Sequence, residues 1–408
     1  MSTSSTRVAL SLLAILGAAG CEDYTKLGDA CDPGFTGKKS ASPEAVLAFD
    51  HLNCYRRLSG VSKASHDQYA SDAAVDELNY ILLNPDPLIL GGPEGMAGYL
   101  QQQEARDGFT GYHVRDRLDH AGYYMYDPGG TEVWEGLAVQ FRDPGEEKYD
   151  TVRAVDEAMR STSARQGLLQ PSWSDGGYAE IELDQEWLAT AGATAESATV
   201  HYMIVIHQVP HLEHASLPVL LPKEDQTGVP LYAPATDVRL VYQPVKTTVS
   251  YPVTFLVGTL DETNYSAIDQ NPFEVAVSDP SIVVAATQEA LLTHVVHPGD
   301  EPFEIWPDGN RQRWIVGLYT PAPFEPSTEY EVHADVSTVD GAYRVEYNFT
   351  TAATDPGLEL QPPPVDLSVD PVPTGYRVSQ PRDEMFAGRA GQAVSPSGFL
   401  FASKSTGP

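Results

Sequence analysis

The chain has 408 residues, and at roughly 150 residues per domain this length predicts two to three domains. Hydrophobic residues make up 42% of it and charged residues 20%, which excludes a wholly disordered or collagen-like chain. With 25 Lys and Arg against 57 Asp and Glu, the formal net charge is -32. This charge repels phosphate backbones and excludes nucleic acid as a partner.

The N-terminus has the pattern of an export signal. A single early charge, Arg7, precedes the apolar run Val8 to Gly17, which is too short to span a membrane. The following Ala18-Ala19-Gly20-Cys21 resembles the lipobox of bacterial lipoproteins. We therefore expect residues 1-20 to be a signal peptide and Cys21 to be lipidated, anchoring the protein to a membrane of the cell envelope. Ordinary cleavage, which would leave a secreted soluble protein, is the alternative.

Two further cysteines follow the signal. Outside the cytosol, Cys31 and Cys54 are most simply paired in a disulfide, although two free thiols are the alternative. Residues 21-44 are polar and have no period, which predicts a tether. A disulfide would attach this tether to the first helix of the next domain.

Residues 45-208 begin with helical patterns and end with strand patterns. Ser42-Pro43-Glu44 is a helix start, followed by apolar residues at helical spacing. Further helices are predicted over 67-83 and 151-160, and strands over 178-183 and 199-206. This order indicates an α+β fold with helices flanking a sheet.

Several motifs in this region occur in the order seen in one protein family. They are Leu52-Asn53-Cys54-Tyr55-Arg56-Arg57, Gly108-Phe109-Thr110-Gly111, Asp116-Arg117-Leu118, Ala121-Gly122-Tyr123, Glu135-Gly136, Ala154-Val155-Asp156-Glu157-Ala158-Met159, Arg165, Leu168-Leu169, Pro171 and Trp173. Together they resemble the CAP or SCP domains of bacteria, related to cysteine-rich secretory proteins, antigen 5 and pathogenesis-related proteins. The resemblance implies an α-β-α sandwich.

The resemblance also implies a cleft in which two histidines and two acids can hold a metal. Glu135 is similar to the first acid and His201 to the second histidine, whereas Ser161 stands at the place of the second acid. Gln101-Gln102-Gln103 replaces the first histidine. Because a metal site needs at least three ligands, we expect no metal or other cofactor in this cleft. Glu135 and His201 remain candidate catalytic residues, and a hydrogen-bonded core position is the alternative for Glu135.

The cleft is predicted to keep its shape without this chemistry. Tyr112, Trp134 and Tyr202, together with Glu135 and Ser161, then form a candidate pocket for a lipid, a glycan or a protein ligand. Core packing is the alternative for the three aromatic residues.

A second histidine cluster follows the last predicted strand. His207, His211 and His214 have the spacing H-x3-H-x2-H, and imidazole binds zinc, copper and nickel. Pro210 lies between them and disfavours a regular helix. The cluster is therefore only a weak metal candidate, and a solvated linker is the alternative.

The rest of the chain is divided by its prolines. Residues 209-222 are predicted to be a linker and 223-352 an all-β domain of short strands, including a hairpin across Asp340-Gly341. Its opening and closing segments resemble bacterial immunoglobulin-like modules, which implies a β-sandwich. Residues 353-408 are rich in Pro, Gly and Ser and are predicted to be disordered.

The sequence holds no Gly-x-Ser-x-Gly, Walker, His-Glu-x-x-His or EF-hand pattern. The leading hypothesis is a non-enzymatic binding module at the cell envelope. The alternatives are a hydrolase that uses Glu135 and His201, and a purely structural envelope or adhesion protein.

Overall fold

The computed structural model describes residues 24–31, 41–85, 102–125, 131–142, 144–145, 150–171, 173–191, 195–208, 218–234, 248–257, 276–296, 315–338, 341–354 and 396–404. Over these residues the protein is a mixed α+β fold, which confirms the predicted class at that level. Among the helices described, none is both long enough and apolar enough to cross a membrane.

Seven helices lie within the described residues. They are α1 (Leu27–Ala30), α2 (Pro43–Leu58), α3 (Gln68–Leu83), α4 (Val114–His120), α5 (Thr151–Ala158), α6 (Thr162–Leu168) and α7 (Gln185–Thr190). Ser42, Asp67 and Asp150 cap the starts of α2, α3 and α5 by accepting hydrogen bonds from backbone N–H groups. The three helices predicted for the first domain are therefore confirmed, α5 ending two residues early.

The strands within the described residues are numbered along the chain. They are β1 (Ser65–His66), β2 (Thr131–Arg142), β3 (Trp173–Leu183), β4 (Ser197–Gln208), β5 (Val219–Leu221), β6 (Gln226–Val229), β7 (Tyr232–Pro234), β8 (Thr248–Ser250), β9 (Val253–Leu256), β10 (Ala276–Val284), β11 (Glu289–Leu291), β12 (His294–Val296), β13 (Ile315–Tyr319), β14 (Glu329–Thr338), β15 (Gly341–Thr351) and β16 (Pro396–Lys404).

One sheet organises the first module. Its strand order is β1-β3-β4-β2-β16, with β4 antiparallel to both β2 and β3. β16 runs parallel to β2, so residues 396–404 differ from the disordered tail expected there. The apolar run Phe399-Leu400-Phe401 within the Pro-rich tail is a segment with strand propensity that the overall composition concealed.

Helices cover both faces of this sheet. α3, α4 and α7 pack on one side, here called the α3 face, and α2, α5 and α6 pack on the other, the α2 face. On the α3 face the backbone of α3 touches β3, because a Cβ added to Gly177 would lie 2.1 Å from the carbonyl carbon of Ala70. Small residues at this contact set the depth of the α3 layer.

In the part of the second module that the structure describes, the regular elements are strands. Two sheets, of order β11-β10-β14-β15-β6 and β12-β13-β9-β5, share one apolar core. The predicted hairpin is formed by β14 and β15, with Val332 opposite Tyr347. β5 pairs with β9, so the last part of the predicted linker 209-222 belongs to the second module.

A buried arginine joins the two modules. Arg165 of α6 is fully buried and donates hydrogen bonds to the carbonyl oxygens of Leu221 (2.8 Å) and Pro252 (2.5 Å) and to Thr254 Oγ1 (3.0 Å). Its guanidinium lies 4.4 Å from the centre of the Tyr251 ring, a cation–π contact. The modules are therefore packed together at this point.

Candidate functional site

Side-chain alternation along β2 and β4 decides which residues can form one site. Successive residues of a strand point to opposite faces of a sheet. Glu135 and Tyr202 therefore point to the α3 face, where they contact each other. Trp134 packs with the helices of the α2 face, and His201 also points there.

On the α3 face, a buried arginine binds two carboxylates. Arg117 of α4 is ion-paired with Glu77, its Nε lying 3.0 Å from Glu77 Oε2, and its Nη2 donates a hydrogen bond to Glu135 Oε2. The same Nη2 lies 2.9 Å from the Tyr202 hydroxyl, which itself donates to Glu135 Oε2. We call this set, with Gln102, the Arg117 network; all five side chains are at most 3% exposed.

Gln102 connects the network to the segment before α4. Its Nε2 donates to Glu77 Oε2 at 2.9 Å. Its Oε1 accepts from the backbone N–H groups of Thr110 (2.7 Å) and Gly111 (3.3 Å). Gln102, at a position where the resemblance predicts a histidine, thus bridges Glu77 and the backbone before α4 by hydrogen bonds.

Burial and charge oppose each other in the Arg117 network. Burial raises the pKa of Glu77 to about 7, although Arg117 acts in the opposite direction. The pKa of Glu135 is also raised by burial and lowered by Arg117 and Tyr202. Burial lowers the pKa of Arg117, but Glu135 and Glu77 more than offset this and hold it above its ordinary value. The guanidinium is therefore the fixed positive charge that permits two carboxyl groups in this core.

On the α2 face, His201 forms a different arrangement. Its Nδ1 lies 2.7 Å from the Tyr178 hydroxyl and 3.4 Å from Glu180 Oε2. Glu180 Oε2 also accepts from the Tyr178 hydroxyl at 3.1 Å and from Thr151 Oγ1 at 3.0 Å. Burial, followed by the charge of Glu180, raises the pKa of Tyr178, so this hydroxyl keeps its proton and remains a donor.

His201 lines a cavity of about 50 Å³ between the sheet and helices α2, α5 and α6. The apolar side chains around it include Leu52, Ala154, Val155, Ala158, Leu168 and Val205. Among the described residues, His201 Nε2 has no hydrogen-bond partner although the side chain is only 4% exposed. The His201 cavity therefore combines an apolar wall with a buried imidazole whose Nε2 lacks a hydrogen-bond partner within the described residues.

The candidate catalytic pair of the sequence analysis is not formed. Glu135 is ion-paired on the α3 face, whereas His201 lies on the α2 face, so the sheet separates them. The physical reason is the register of β2 and β4. Glu135 lies opposite Ile204 and His201 lies opposite Ala138, so the two side chains alternate to opposite faces of the sheet. The structure therefore does not bring Glu135 and His201 together as the hydrolase hypothesis requires.

The five residues of the predicted ligand pocket are distributed rather than gathered. Glu135 and Tyr202 meet in the Arg117 network, and Trp134 lies across the sheet from them. Tyr112 is 43% exposed in the segment before α4. Ser161 caps α6 by accepting from the backbone N–H of Ala164, which explains a serine at this position by local helix geometry.

Cys31 and Cys54 form a disulfide, with their Cα atoms 4.4 Å apart. The predicted weak metal site cannot be compared with the structure in the same way, because the His207 side chain, His211 and His214 lie outside the described residues. Cys21 lies outside them as well.

Sequence reasoning missed Glu77 and Arg117 as partners of Glu135. The sequence contains one indication that Glu77 is buried, because it lies on the same face of the helix as Ala70, Ala74 and Ile81, where an acid needs a buried partner.

Scans against models of protein families and against curated proteins give no match to this chain.

Proposed function

We propose that this protein is an exported binding module of CAP or SCP type, anchored to the cell envelope at Cys21 and followed by an immunoglobulin-like module. The proposal is supported by the motif order, by helices on both faces of a mixed sheet, and by the two-sheet module that follows. Glu135, the acid that the resemblance associates with reactivity, serves structure here through Arg117. The module therefore acts by binding.

The observation that carries this proposal is the His201 cavity. Its lining is apolar except for His201, Tyr178 and Tyr202 among the residues described, which favours a lipid-like ligand over a glycan or a protein surface. The cavity volume is about 50 Å³, whereas a cavity that holds one water needs about 10–15 Å³. The cavity therefore accommodates a short apolar group rather than a bulky headgroup.

The polar contact of the ligand follows from Glu180. Its carboxylate lies 3.4 Å from His201 Nδ1 and favours the proton on that nitrogen, as does the Tyr178 hydroxyl that already donates to Glu180. Nε2 is then a hydrogen-bond acceptor. The ligand is therefore an apolar molecule that carries a hydroxyl group.

Calorimetric titration of the full chain with 1-hexanol tests this function. We expect saturable binding and a raised melting temperature, with weaker binding of hexane because hexane leaves Nε2 unpaired. Ala154→Leu fills the cavity and should abolish binding. Glu135→Gln is the matched control on the other face and should leave affinity unchanged.

Other outcomes would identify the competing functions. Glycan binding that survives Ala154→Leu would refute the cavity as the ligand site. The absence of any saturable ligand would favour the structural envelope protein instead.

The anchor is tested separately. We expect metabolic labelling with an acyl-chain analogue to mark the wild type and not Cys21→Ser, which should move from the membrane to the soluble fraction. An unlabelled wild type in the soluble fraction would contradict the anchor and support ordinary cleavage.

A further inference from the structure

Three potential metal ligands meet where the tether contacts α2. The ligand atoms of Cys31, His51 and Cys54 all lie within 4.8 Å of one another. His51 and Cys54 are three residues apart on α2 and therefore share a face of the helix. Cys31 follows α1, which is held against α2 by a 2.7 Å hydrogen bond from Arg57 Nη1 to the Ala30 carbonyl oxygen.

A carboxylate orients the histidine of this cluster. His51 Nε2 lies 2.6 Å from Asp156 Oδ1, and the same oxygen accepts from the Tyr55 hydroxyl at 2.7 Å. Metal-binding histidines commonly donate their other ring nitrogen to a carboxylate, which fixes the ring and increases its basicity. With Nε2 bound to Asp156, Nδ1 is the nitrogen that can bind a metal.

We propose that this cluster is an alternative zinc site that replaces the disulfide when a dithiol reduces it. The dithiol supplies two electrons and two protons, the S–S bond breaks, two cysteine thiols form and the dithiol becomes a disulfide. Zn²⁺ then displaces the two thiol protons and binds both thiolates and His51 Nδ1. Water completes the tetrahedral coordination.

The residue types and the spacing both suit zinc. Two thiolates neutralise the charge of the ion, and a Cys₂His set is one that Zn²⁺ takes in proteins. Zinc binds sulfur at about 2.3 Å and imidazole nitrogen at about 2.0–2.1 Å, so its ligands must lie within about twice that distance of one another. The three ligand atoms lie within 4.8 Å of one another, and the two sulfur atoms, which are bonded to each other in the disulfide, must move apart to admit the ion.

The test uses cobalt as a spectroscopic probe of the full chain. The Cys21→Ser background removes the third thiol, and the protein is compared oxidised and after reduction with a phosphine that is then removed. We expect the reduced chain to bind one Co²⁺ with thiolate-to-cobalt charge-transfer absorption that Zn²⁺ abolishes, and the oxidised chain to show neither. Cobalt binding without this absorption would place the metal on other ligands, such as His207, His211 and His214, and overturn the proposal.

Substitutions then test the individual ligands. Cys54→Ser should remove the charge-transfer absorption. Asp156→Asn should keep it but weaken zinc binding by about 10–100-fold, because Asp156 acts through His51. His333→Gln, on β14, is the matched control and should change nothing. The site would be refuted if the wild type and Asp156→Asn bound zinc with equal affinity. It would also be refuted if the oxidised and reduced wild type bound zinc with equal affinity, and this comparison needs no substitution that could impair folding.

Discussion

The two faces of the first sheet bury polar groups in opposite ways. On the α3 face, Arg117 forms ion pairs with two buried carboxyl groups. On the α2 face, His201 is held by Tyr178 and Glu180 at one side and faces an apolar cavity at the other. Breaking a buried ion pair is destabilising because the remaining charge loses its partner, whereas the imidazole beside the cavity already has one nitrogen without a hydrogen bond within the described residues.

The largest effect should come from the α3 face. Arg117→Met leaves Glu77 and Glu135 buried without their counter-charge, and we expect it to lower the free energy of unfolding by about 3–5 kcal/mol. Urea denaturation measures this. Arg344→Met is the control, because that side chain is 77% exposed and its loss should cost no more than about 0.5 kcal/mol. Similar losses in both variants would contradict the structural role of the Arg117 network.

Removal of one hydroxyl gives a smaller effect on the same face. Tyr202→Phe deprives Glu135 of a buried donor and should lower the free energy of unfolding by about 1–3 kcal/mol. Tyr347→Phe provides the matched control in the second module, because among the described residues its buried hydroxyl has no hydrogen-bond partner. If thermal denaturation shows equal losses, the hydrogen bond to Glu135 contributes nothing specific.

Acidity offers a further way to separate the faces. Burial raises the pKa of Glu77 from 4.5 to about 7, so between these values the folded chain binds more protons than the unfolded chain. The free energy of unfolding should therefore decrease as the pH rises from about 4.5 to about 7 and level off above that range. Glu77→Gln should reduce the slope, as measured by urea denaturation across this range. An unchanged slope would show that Glu77 does not titrate there.

The sequence predicted local structure better than it predicted the sites. The helix that begins after Ser42 was predicted from its cap, because a cap residue acts within one turn. The helices over 67-83 and 151-160 were predicted from their residue patterns, and Asp67 and Asp150 cap them in the structure. The strands over 178-183 and 199-206 were likewise recognised, although both extend further in the structure. These features depend on neighbours in the chain.

The sites depend instead on strand register. Glu135 and His201 both lie on strands, but only the pairing of Glu135 with Ile204 and of Ala138 with His201 reveals that they face opposite sides. A shift of one residue would bring them to the same side. Arg117 and Glu77 belong to different helices, and no local pattern in the sequence predicts that they form one network with Glu135.

The smallest expected effect concerns ligand selection on the α2 face. In the wild type, Glu180 holds the proton of His201 on Nδ1, so Nε2 accepts a hydrogen bond and should favour 1-hexanol over an ether of equal length. Glu180→Gln removes the carboxylate charge, and the imidazole can then present Nε2 either as a donor or as an acceptor. We expect the preference of about fivefold, equivalent to one hydrogen bond of about 1 kcal/mol, to disappear, as measured by calorimetric titration with both ligands. Glu182→Gln is the control and should retain the preference, because Glu182 lies two residues along β3 and its side chain is 55% exposed. If Glu180→Gln also retained the preference, Glu180 would not determine which nitrogen of His201 carries the proton.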